Sequence, residues 1–302
     1  MSSNKKSSLG FESSFWDHLE VLRWTLLRSL GVLLVLVIVC FGFKDFIFNK
    51  VILPPLTSEF HTYRFLCFLA DLVKMPGLCP DSFQIQMINI TLSGQFMTHM
   101  ISSLIIAVII TVPYLLYEAW KFVKPALYPN EKKSVGKIFL SSSFLFYLGA
   151  AVSYFVIFPF TLRFLGTYQV SETIVNQISI QSYMNTLALL VFFMGIAFEL
   201  PVVVFLLSQI GLVNKEMLRK FRKYSFVGVL ILAAFITPTT DPFTMLLVAT
   251  PLYLLYELSI VVSKEKAKSE SADDAEVESK EEVAEDSENE ALQEDSELGN
   301  SE

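Results

Sequence analysis

The sequence predicts an all-α integral membrane protein with six transmembrane helices. Apolar residues make up 53% of the chain, the mean hydropathy is +0.52, and 27 of the 302 residues are phenylalanine. Soluble domains do not have this composition, whereas multi-spanning membrane proteins do. We expect each span to be helical because unpaired backbone groups are not tolerated in lipid.

The six spans are predicted from six apolar segments. A helix needs roughly 20 residues to cross about 30 Å of hydrocarbon. The segments are Leu26–Phe43, Met97–Ala119, Gly136–Phe158, Asn185–Leu207, Tyr224–Ile236 and Phe243–Val262. The fifth is short enough to be a re-entrant or buried helix, but the turn TPTTDPF that follows it favours a tight hairpin between two short spans. The first resembles the core of a signal peptide, yet no small-x-small cleavage site follows it, which favours a retained anchor.

The charges divide the chain into unlike parts. The segment 264–302 holds 16 acids and 4 bases, whereas the other 263 residues hold 19 bases and 14 acids. Because the tail has few large apolar side chains, we expect 263–302 to be an acidic, disordered segment. The expected organisation is therefore an amphipathic segment 1–25, a six-helix membrane domain 26–262 with a long outer loop 44–96, and this tail.

Lysine and arginine in the loops predict the orientation. If both ends lie on one side, that side receives 18 of the 23 basic residues and the other side only five: Lys44, Lys50, Arg64, Lys74 and Arg163. Cytoplasmic loops carry such an excess. We therefore expect a multi-pass protein of the cytoplasmic (inner) membrane with both termini in the cytoplasm.

The three cysteines are consistent with this topology. Cys40 lies in the first span, where a small apolar filler is expected. Cys67 and Cys79 both lie in the outer loop, and a disulfide between them would persist in an oxidising compartment such as a periplasm. Two free buried thiols are the alternative. The histidines are scattered and no CxxC occurs, so we expect no metal site.

The stretch FESSFWDHLEVLRWTLLRSL precedes the first span and is amphipathic. One helical face carries apolar residues, namely Phe11, Phe15, Leu19, Leu22 and Leu26. This pattern predicts a helix that lies in the membrane interface before it turns into the bilayer. On the other face, Glu20 is either a functional acid or an ion-pair partner of Arg23 three residues later.

Two further acids attract attention. Glu131 lies among lysines in the loop WKFVKPALYPNEKKSVGK, after a Pro-Ala-Leu-Tyr-Pro corner that would hold it in place; local charge balance is the alternative. Glu199 lies two residues before Pro201 inside the apolar run MGIAFELPVVVFLL. An acid inside a span is a functional-site hypothesis by default, and Pro201 predicts a kink there. A protonated glutamate satisfied inside the bundle is the alternative.

Several motifs resemble one family. FWDHLEVLR, KPALYPNEKK, SSSFLFYLGAAVSYFVIFP, AFELPVVV, ITPTTDPFT and PLYLLYEL occur in the order, and at roughly the spacing, of the TatC family of the twin-arginine protein translocase. The resemblance covers approximately 15–262. It implies six spans with both ends in the cytoplasm and a receptor for twin-Arg signal peptides on proteins exported already folded.

The resemblance also implies roles for single residues. Glu131 matches a loop glutamate that contacts the paired arginines, and Phe122 matches an aromatic used in signal-peptide recognition. A carboxylate is the natural complement of a guanidinium fork. Glu199 matches an acid in the fourth span that faces a water-accessible hollow, where it would hydrogen-bond a partner's membrane helix.

One position departs from the family pattern. The family has His-Leu-x-Glu-Leu-Arg, whereas this chain has His-Leu-Glu-Val-Leu-Arg from His18 to Arg23. Val21 stands where the family acid is expected, and Glu20 lies about 100° round the helix. Either Glu20 substitutes for that acid or one carboxylate of the pair is absent; we favour substitution.

Competing functions are less compatible with the sequence. A proton-coupled secondary transporter that uses Glu199 would need several facing intramembrane polar groups and an inverted repeat. An intramembrane enzyme would need a catalytic constellation in the spans. Neither pattern is present in the sequence. The expected partners are twin-Arg signal peptides, TatA- or TatB-like single-span proteins, the lipid bilayer and further copies of the chain. We expect no cofactor and no nucleic acid.

Overall fold

The structure is a computed structural model, and it describes residues 7–73, 85, 87–123, 135–171, 176–238 and 241–263, with side chains from Glu20 onward except at positions 69, 73, 122, 123, 135 and 137. The helices in this part of the chain are α1 Ser7–Gly42, α2 Lys44–Phe46, α3 His61–Val73, α4 Gly94–Val123, α5 Val135–Val152, α6 Phe158–Thr167, α7 Ile180–Ala197, α8 Leu200–Gln209, α9 Lys215–Lys220, α10 Arg222–Ile236 and α11 Pro242–Val262. Two π-helical segments, Ile47–Ile52 and Ser153–Ile157, and a 3-10 turn, Pro54–Leu56, join them.

The structure confirms a mostly helical chain. Within the described ranges, five stretches are long and apolar enough to cross a membrane: Glu20–Gly42, Gly94–Lys121, Ile138–Thr167, Ile180–Gln209 and Pro242–Val262. The third runs from α5 through the π-helical segment into α6, and the fourth comprises α7 and α8. The fifth predicted segment is also a helix, α10, but its 15 residues make it shorter than these five.

The sixth segment was expected to be short, and this expectation is wrong. It forms α11, a helix of 21 residues. The start of α11 is well defined because Oδ1 of Asp241 accepts the N–H of Thr244 at 2.7 Å, which is an N-cap. Pro242 occupies the first turn, where its missing N–H costs nothing.

The expected turn between the amphipathic segment and the first span is also absent. α1 is one helix of 36 residues, and no proline interrupts it. The outer loop likewise has more structure than predicted, since it contains α2 and α3. It also contains β1, Met87–Ile88, which pairs in parallel with β2, Ile178–Ser179. Strands of only two residues are too short to show a periodicity in the sequence.

The core lies where α4, α5, α7, α10 and α11 meet. Its most buried side chains are small or aliphatic, and they include Ala107, Leu190, Met194, Ala233, Val248 and Leu252. α5 and α7 approach each other closely at two glycines. A Cβ at Gly149 would lie 2.6 Å from Phe198, and a Cβ at Gly195 would lie 2.6 Å from Phe146. Among the long helices α1 packs mainly on α4, and almost none of its apolar stretch is buried.

Prolines inside the helices leave backbone carbonyls without their usual donor four residues later. Pro55 lies in the 3-10 turn after the π-helical segment Ile47–Ile52 and has no N–H to donate, and the hydroxyl of Tyr154 donates to the Val51 carbonyl at 2.5 Å. Pro159 lies in the first turn of α6, after the π-helical segment Ser153–Ile157, in which the Phe155 carbonyl accepts the hydroxyl of Thr62.

A third proline follows the same rule. Pro113 in α4 cannot donate to Ile109, and the hydroxyl of Tyr147 in α5 donates to the Ile109 carbonyl at 3.4 Å. Because lipid offers no substitute for a lost hydrogen bond, each of these hydroxyls fixes one segment against another.

Two buried tyrosines complete the attachment of the outer loop. The hydroxyl of Tyr183 donates to the carbonyl of Ile52 at 2.5 Å, and that of Tyr63 donates to the carbonyl of Pro159 at 2.9 Å. Burial raises the pKa of Tyr63, with Arg163 opposing the effect. The hydroxyl therefore stays protonated and remains a donor at every physiological pH.

The Tyr154→Phe variant tests the proline rule. It removes only the hydroxyl and leaves the Val51 carbonyl without a donor, which should destabilise the protein by about 1–3 kcal/mol. Tyr224→Phe is the control, because Tyr224 is 73% exposed. Unfolding of the detergent-solubilised protein measures both, and equal stability of the two variants would contradict the assignment.

Candidate functional site at the basic end of the bundle

Most cations of the described chain lie at one end of the bundle. They are Arg23, Arg28, Lys121, Lys215, Arg219, Lys220, Arg222 and Lys223. We call this the basic end; it comprises the start of α1, the end of α4, the start of α5 and the region from α8 to α10 with the end of α11. Contacts join these parts, since Tyr117 lies against Phe139 and Tyr256 donates to the Leu218 carbonyl. The site predicted for recognition lies at this end.

α1 and α4 are antiparallel, and two contacts fix their register. Far from the basic end, the rings of Phe41 and His99 stack with centroids 4.0 Å apart, and Nε2 of His99 lies 3.2 Å from the Phe41 carbonyl oxygen. Nearer the basic end, Arg28 lies close enough to Tyr114 for its charge to act on the hydroxyl. Helix geometry continues this register toward the ends.

This register brings two of the predicted residues together. About two turns beyond the pair of Arg28 and Tyr114, Glu20 on α1 lies level with position 122 on α4. Glu20 is exposed, and so is Val21 beside it, with 52% of its surface accessible. Phe122 belongs to the last turn of α4, and its side chain lies outside the described part. An acid and an aromatic position thus share one level of the basic end.

The remaining predicted residues of this group are not located. Glu131 lies outside the described residues, between the end of α4 at Val123 and the start of α5 at Val135. Cys67 is half-buried on α3, whereas Cys79 lies outside the described residues, so the disulfide stays a prediction. Cys40 is a free, buried cysteine in α1, as its role of apolar filler requires.

Glu199 occupies the break between α7 and α8. The break follows from Pro201, which has no N–H for the carbonyl of Ala197. The chain recovers at once, since the Glu199 carbonyl accepts the N–H groups of Val202 and Val203 at 3.0 Å. The kink predicted from the sequence is therefore present.

A hydroxyl from α5 meets the Glu199 carboxyl group. Oγ of Ser142 donates to Oε2 at 2.5 Å, and Ser142 is almost completely buried. Oε1 of Glu199 is buried and, within the described residues, has no hydrogen-bond partner. The sequence did not predict Ser142, because it is the middle one of three consecutive serines and lies 57 positions from Glu199. Only the helix packing selects it.

A hollow of about 370 Å³ opens beside this pair, between α5, α8 and α11. Its lining is apolar apart from one serine and comprises Ile138, Ser141, Leu145, Pro201, Val202, Phe205, Leu258 and Val262. Glu199 is not among the lining residues, but Pro201 and Val202 follow it directly. The hollow thus begins next to Glu199 along the chain, and one oxygen of the Glu199 carboxyl group has no hydrogen-bond partner among the described residues.

The surroundings of Glu199 do not favour the transporter alternative. That mechanism requires several polar groups facing one another at the same depth. In the described part of the chain, Ser142 is the side chain that hydrogen-bonds Glu199. The fold and the site define instead a multi-spanning helical membrane protein with a cluster of cations at one end of the bundle and a glutamate–serine pair between its helices.

Comparison with known proteins identifies the family. The model of the family "Sec-independent protein translocase protein (TatC)" matches residues 17–251. The chain is 33% identical over 254 residues to the TatC of Blattabacterium (83% of this chain, 95% of that protein). It is 33% identical over 251 residues to the TatC of Aquifex aeolicus (82% and 93%). A solved "Twin Arginine Translocase Receptor- TatC in DDM" superposes with a TM-score of 0.66 at 31% identity, covering 82% of this chain and 99% of the solved one.

The chain therefore belongs to the TatC family. It is a protein-translocase component of the membrane and not an enzyme. The resemblance drawn from the sequence motifs is confirmed.

The Ser142→Ala variant tests the contact inside the membrane. Losing the hydroxyl leaves both oxygens of Glu199 without a described partner, which should cost about 1–3 kcal/mol. Ser141→Ala is the matched control, since Ser141 is the exposed neighbour and should change stability by less than about 0.5 kcal/mol. Unfolding in mixed micelles measures both variants. If Ser142→Ala is as stable as Ser141→Ala, the hydrogen bond does not support the fold.

Proposed function

We propose that this chain is the receptor for twin-Arg signal peptides in a translocase that exports folded proteins across the cytoplasmic membrane. The observation that carries the proposal is the family match over 17–251, since the solved relatives are named twin arginine translocase receptors. The acidic and aromatic positions at the basic end supply the chemistry that such a receptor needs.

The proposed topology has six spans with both termini in the cytoplasm. α10 is then the fifth span, and its 15 residues extend about 22 Å, which is less than the usual hydrocarbon thickness. A short span is accommodated by local thinning of the bilayer. The basic end then faces the cytoplasm, as the distribution of lysine and arginine requires. Signal peptides arrive from that side.

Recognition rests on carboxylates that match guanidinium groups. A bidentate carboxylate–guanidinium contact is geometrically specific and stronger than a neutral hydrogen bond. Lysine cannot reproduce the fork, which explains a preference for arginine. We assign one such contact to Glu131, with Glu20 as the second acid and Phe122 as the apolar wall beside them.

Glu199 serves a different partner. Its Oε1 has no hydrogen-bond partner among the described residues, and the residues that follow it, Pro201 and Val202, line an apolar hollow. We assign it to a polar side chain on the membrane helix of a TatA- or TatB-like protein. A single hydrogen bond of this kind inside a membrane contributes about 0.6–2 kcal/mol, so it selects the position of a partner rather than supplying all of the affinity.

Glu131→Lys tests the receptor function. The substitution places a cation where a guanidinium should bind, so binding of a fluorescent twin-Arg signal peptide to the solubilised protein should be lost while membrane insertion is unchanged. Glu216→Lys is the matched control, because it makes the same charge change on α9 at the basic end. Normal export of a twin-Arg cargo by the Glu131→Lys protein would contradict the assignment.

Glu20→Ala tests whether Glu20 replaces the family acid. A charge-assisted contact contributes about 1.5–3 kcal/mol, so the variant should bind the peptide roughly ten- to hundredfold more weakly. Moving the acid back, with Glu20→Val and Val21→Glu together, should largely restore binding. If Glu20 only pairs with Arg23, its loss costs a few tenths of a kcal/mol of helix stability and leaves peptide affinity at the wild-type value.

A further inference from the structure

The pentapeptide YLLYE occurs twice in the chain, at 114–118 and at 253–257. Each copy follows a proline inside a long helix, Pro113 in α4 and Pro251 in α11. Each also ends near the basic end of the bundle. The two copies form the same internal hydrogen bond, because the first tyrosine and the glutamate are one helical turn apart.

In the second copy the carboxylate is fully engaged. The hydroxyl of Tyr253 donates to Oε1 of Glu257 at 3.2 Å. Nη2 of Arg222, at the start of α10, donates to Oε2 at 2.5 Å. One oxygen thus takes the intrahelical hydroxyl, and the other takes a guanidinium from a neighbouring helix.

In the first copy only half of this arrangement is present. The hydroxyl of Tyr114 donates to Oε1 of Glu118 at 3.1 Å. Oε2 of Glu118 is buried and has no hydrogen-bond partner in the described part of the chain. The residue is only 4% exposed. A buried carboxylate oxygen without a donor carries a desolvation cost that a guanidinium would remove.

Glu118 also lies in the right place for recognition. It is one turn before position 122 on the same face of α4 and, by the register of α1 and α4, about level with Trp24. Arg28 lies about one turn deeper on α1, where its charge acts on the Tyr114 hydroxyl. In the described structure Arg28 forms no ion pair with Glu118. The carboxylate therefore lies directly below the level at which Glu20 and position 122 meet.

We propose that Glu118 binds a guanidinium from outside the chain, namely one arginine of the twin-Arg pair. This assignment rests on the proposed receptor function. Glu118 supplies a carboxylate at the end of the bundle at which this chain has Val21 in place of the family acid. Neighbouring side chains of an extended peptide point to opposite sides, so two adjacent arginines need two separate acids. Glu118, in the wall of α4, takes one of them together with Glu20, which lies about one turn nearer the end of the bundle on α1, and the other arginine is left to a further acid.

The test uses the full-length solubilised protein and four fluorescent signal peptides that carry Arg-Arg, Arg-Lys, Lys-Arg or Lys-Lys. Glu118→Gln keeps the shape and removes the charge. Glu257→Gln is the matched control, because Glu257 has the same pentapeptide and the same tyrosine hydrogen bond. We expect Glu118→Gln to bind the Arg-Arg peptide at least tenfold more weakly than wild type. We also expect it to lose discrimination at one arginine position only, while Glu257→Gln binds as wild type does.

The outcomes separate the two proposals. If the wild-type protein does not prefer Arg-Arg over Lys-Lys, the receptor function falls and this assignment falls with it. If the wild type has the preference and Glu118→Gln keeps both affinity and discrimination, the function stands and the assignment is overturned. The assignment is also overturned if Glu118→Gln weakens all four peptides equally, because a merely structural residue would do so.

A second measurement avoids substitution of Glu118. A photoreactive residue replaces each arginine of the peptide in turn, and crosslinks to the wild-type chain are mapped by mass spectrometry. The assignment predicts that one of the two positions crosslinks to 114–121 in α4. Crosslinks from both positions that never include this stretch would overturn it.

Discussion

A backbone carbonyl that loses its donor inside a bilayer is costly, because lipid offers no replacement, and this constraint shapes the structure. Prolines cause such losses, since a proline has no N–H to donate. Three carbonyls near prolines accept a side-chain hydroxyl instead: Tyr154 donates to Val51, Thr62 to Phe155 and Tyr147 to Ile109. Each of these bonds joins two segments, so the prolines that weaken single helices also determine how the helices attach to one another.

The same need for a hydrogen-bond donor applies to the buried acidic side chains. Glu257 is engaged by a tyrosine and an arginine, and it contributes to the joint between α10 and α11. Glu199 and Glu118 each retain one buried oxygen without a partner among the described residues. In a low-dielectric environment such an oxygen is costly. Binding of a partner that donates a hydrogen bond to this oxygen therefore lowers the free energy relative to the unbound state. The two half-satisfied acids are at different depths, which suits one to a membrane helix and the other to a peptide that approaches from the end of the bundle.

Much of this architecture follows from the sequence. Apolar runs long enough to cross a bilayer predict the spans, and Pro201 predicts the break at Glu199. The predicted bounds of the sixth segment agree with α11 to within one residue; only the inference from the hairpin turn that this span is short was wrong. Periodicity identified the amphipathic face before the first span, but it gave no information on whether a turn follows. α1 is continuous because no residue in it ends a helix.

The partners of the acids were beyond sequence reasoning. Ser142 meets Glu199 across 57 positions, and Arg222 meets Glu257 across 35. Such pairs depend on helix register and crossing, which no local pattern encodes. The repeated YLLYE is visible in the sequence, but the two copies are identical, so the sequence does not distinguish their surroundings. The structure shows that Glu257 forms an ion pair with an arginine, whereas in the described part of the chain Glu118 forms none.

Site-specific photo-crosslinking of a twin-Arg signal peptide to positions 17–24 and 120–133 tests the central claim most directly. The receptor account predicts crosslinks in both stretches, because the beginning of α1 and the end of α4 form one surface. It also predicts that these crosslinks disappear when both arginines of the peptide are replaced by lysine. Crosslinks that persist with the lysine peptide, or that occur only outside both stretches, would contradict the account.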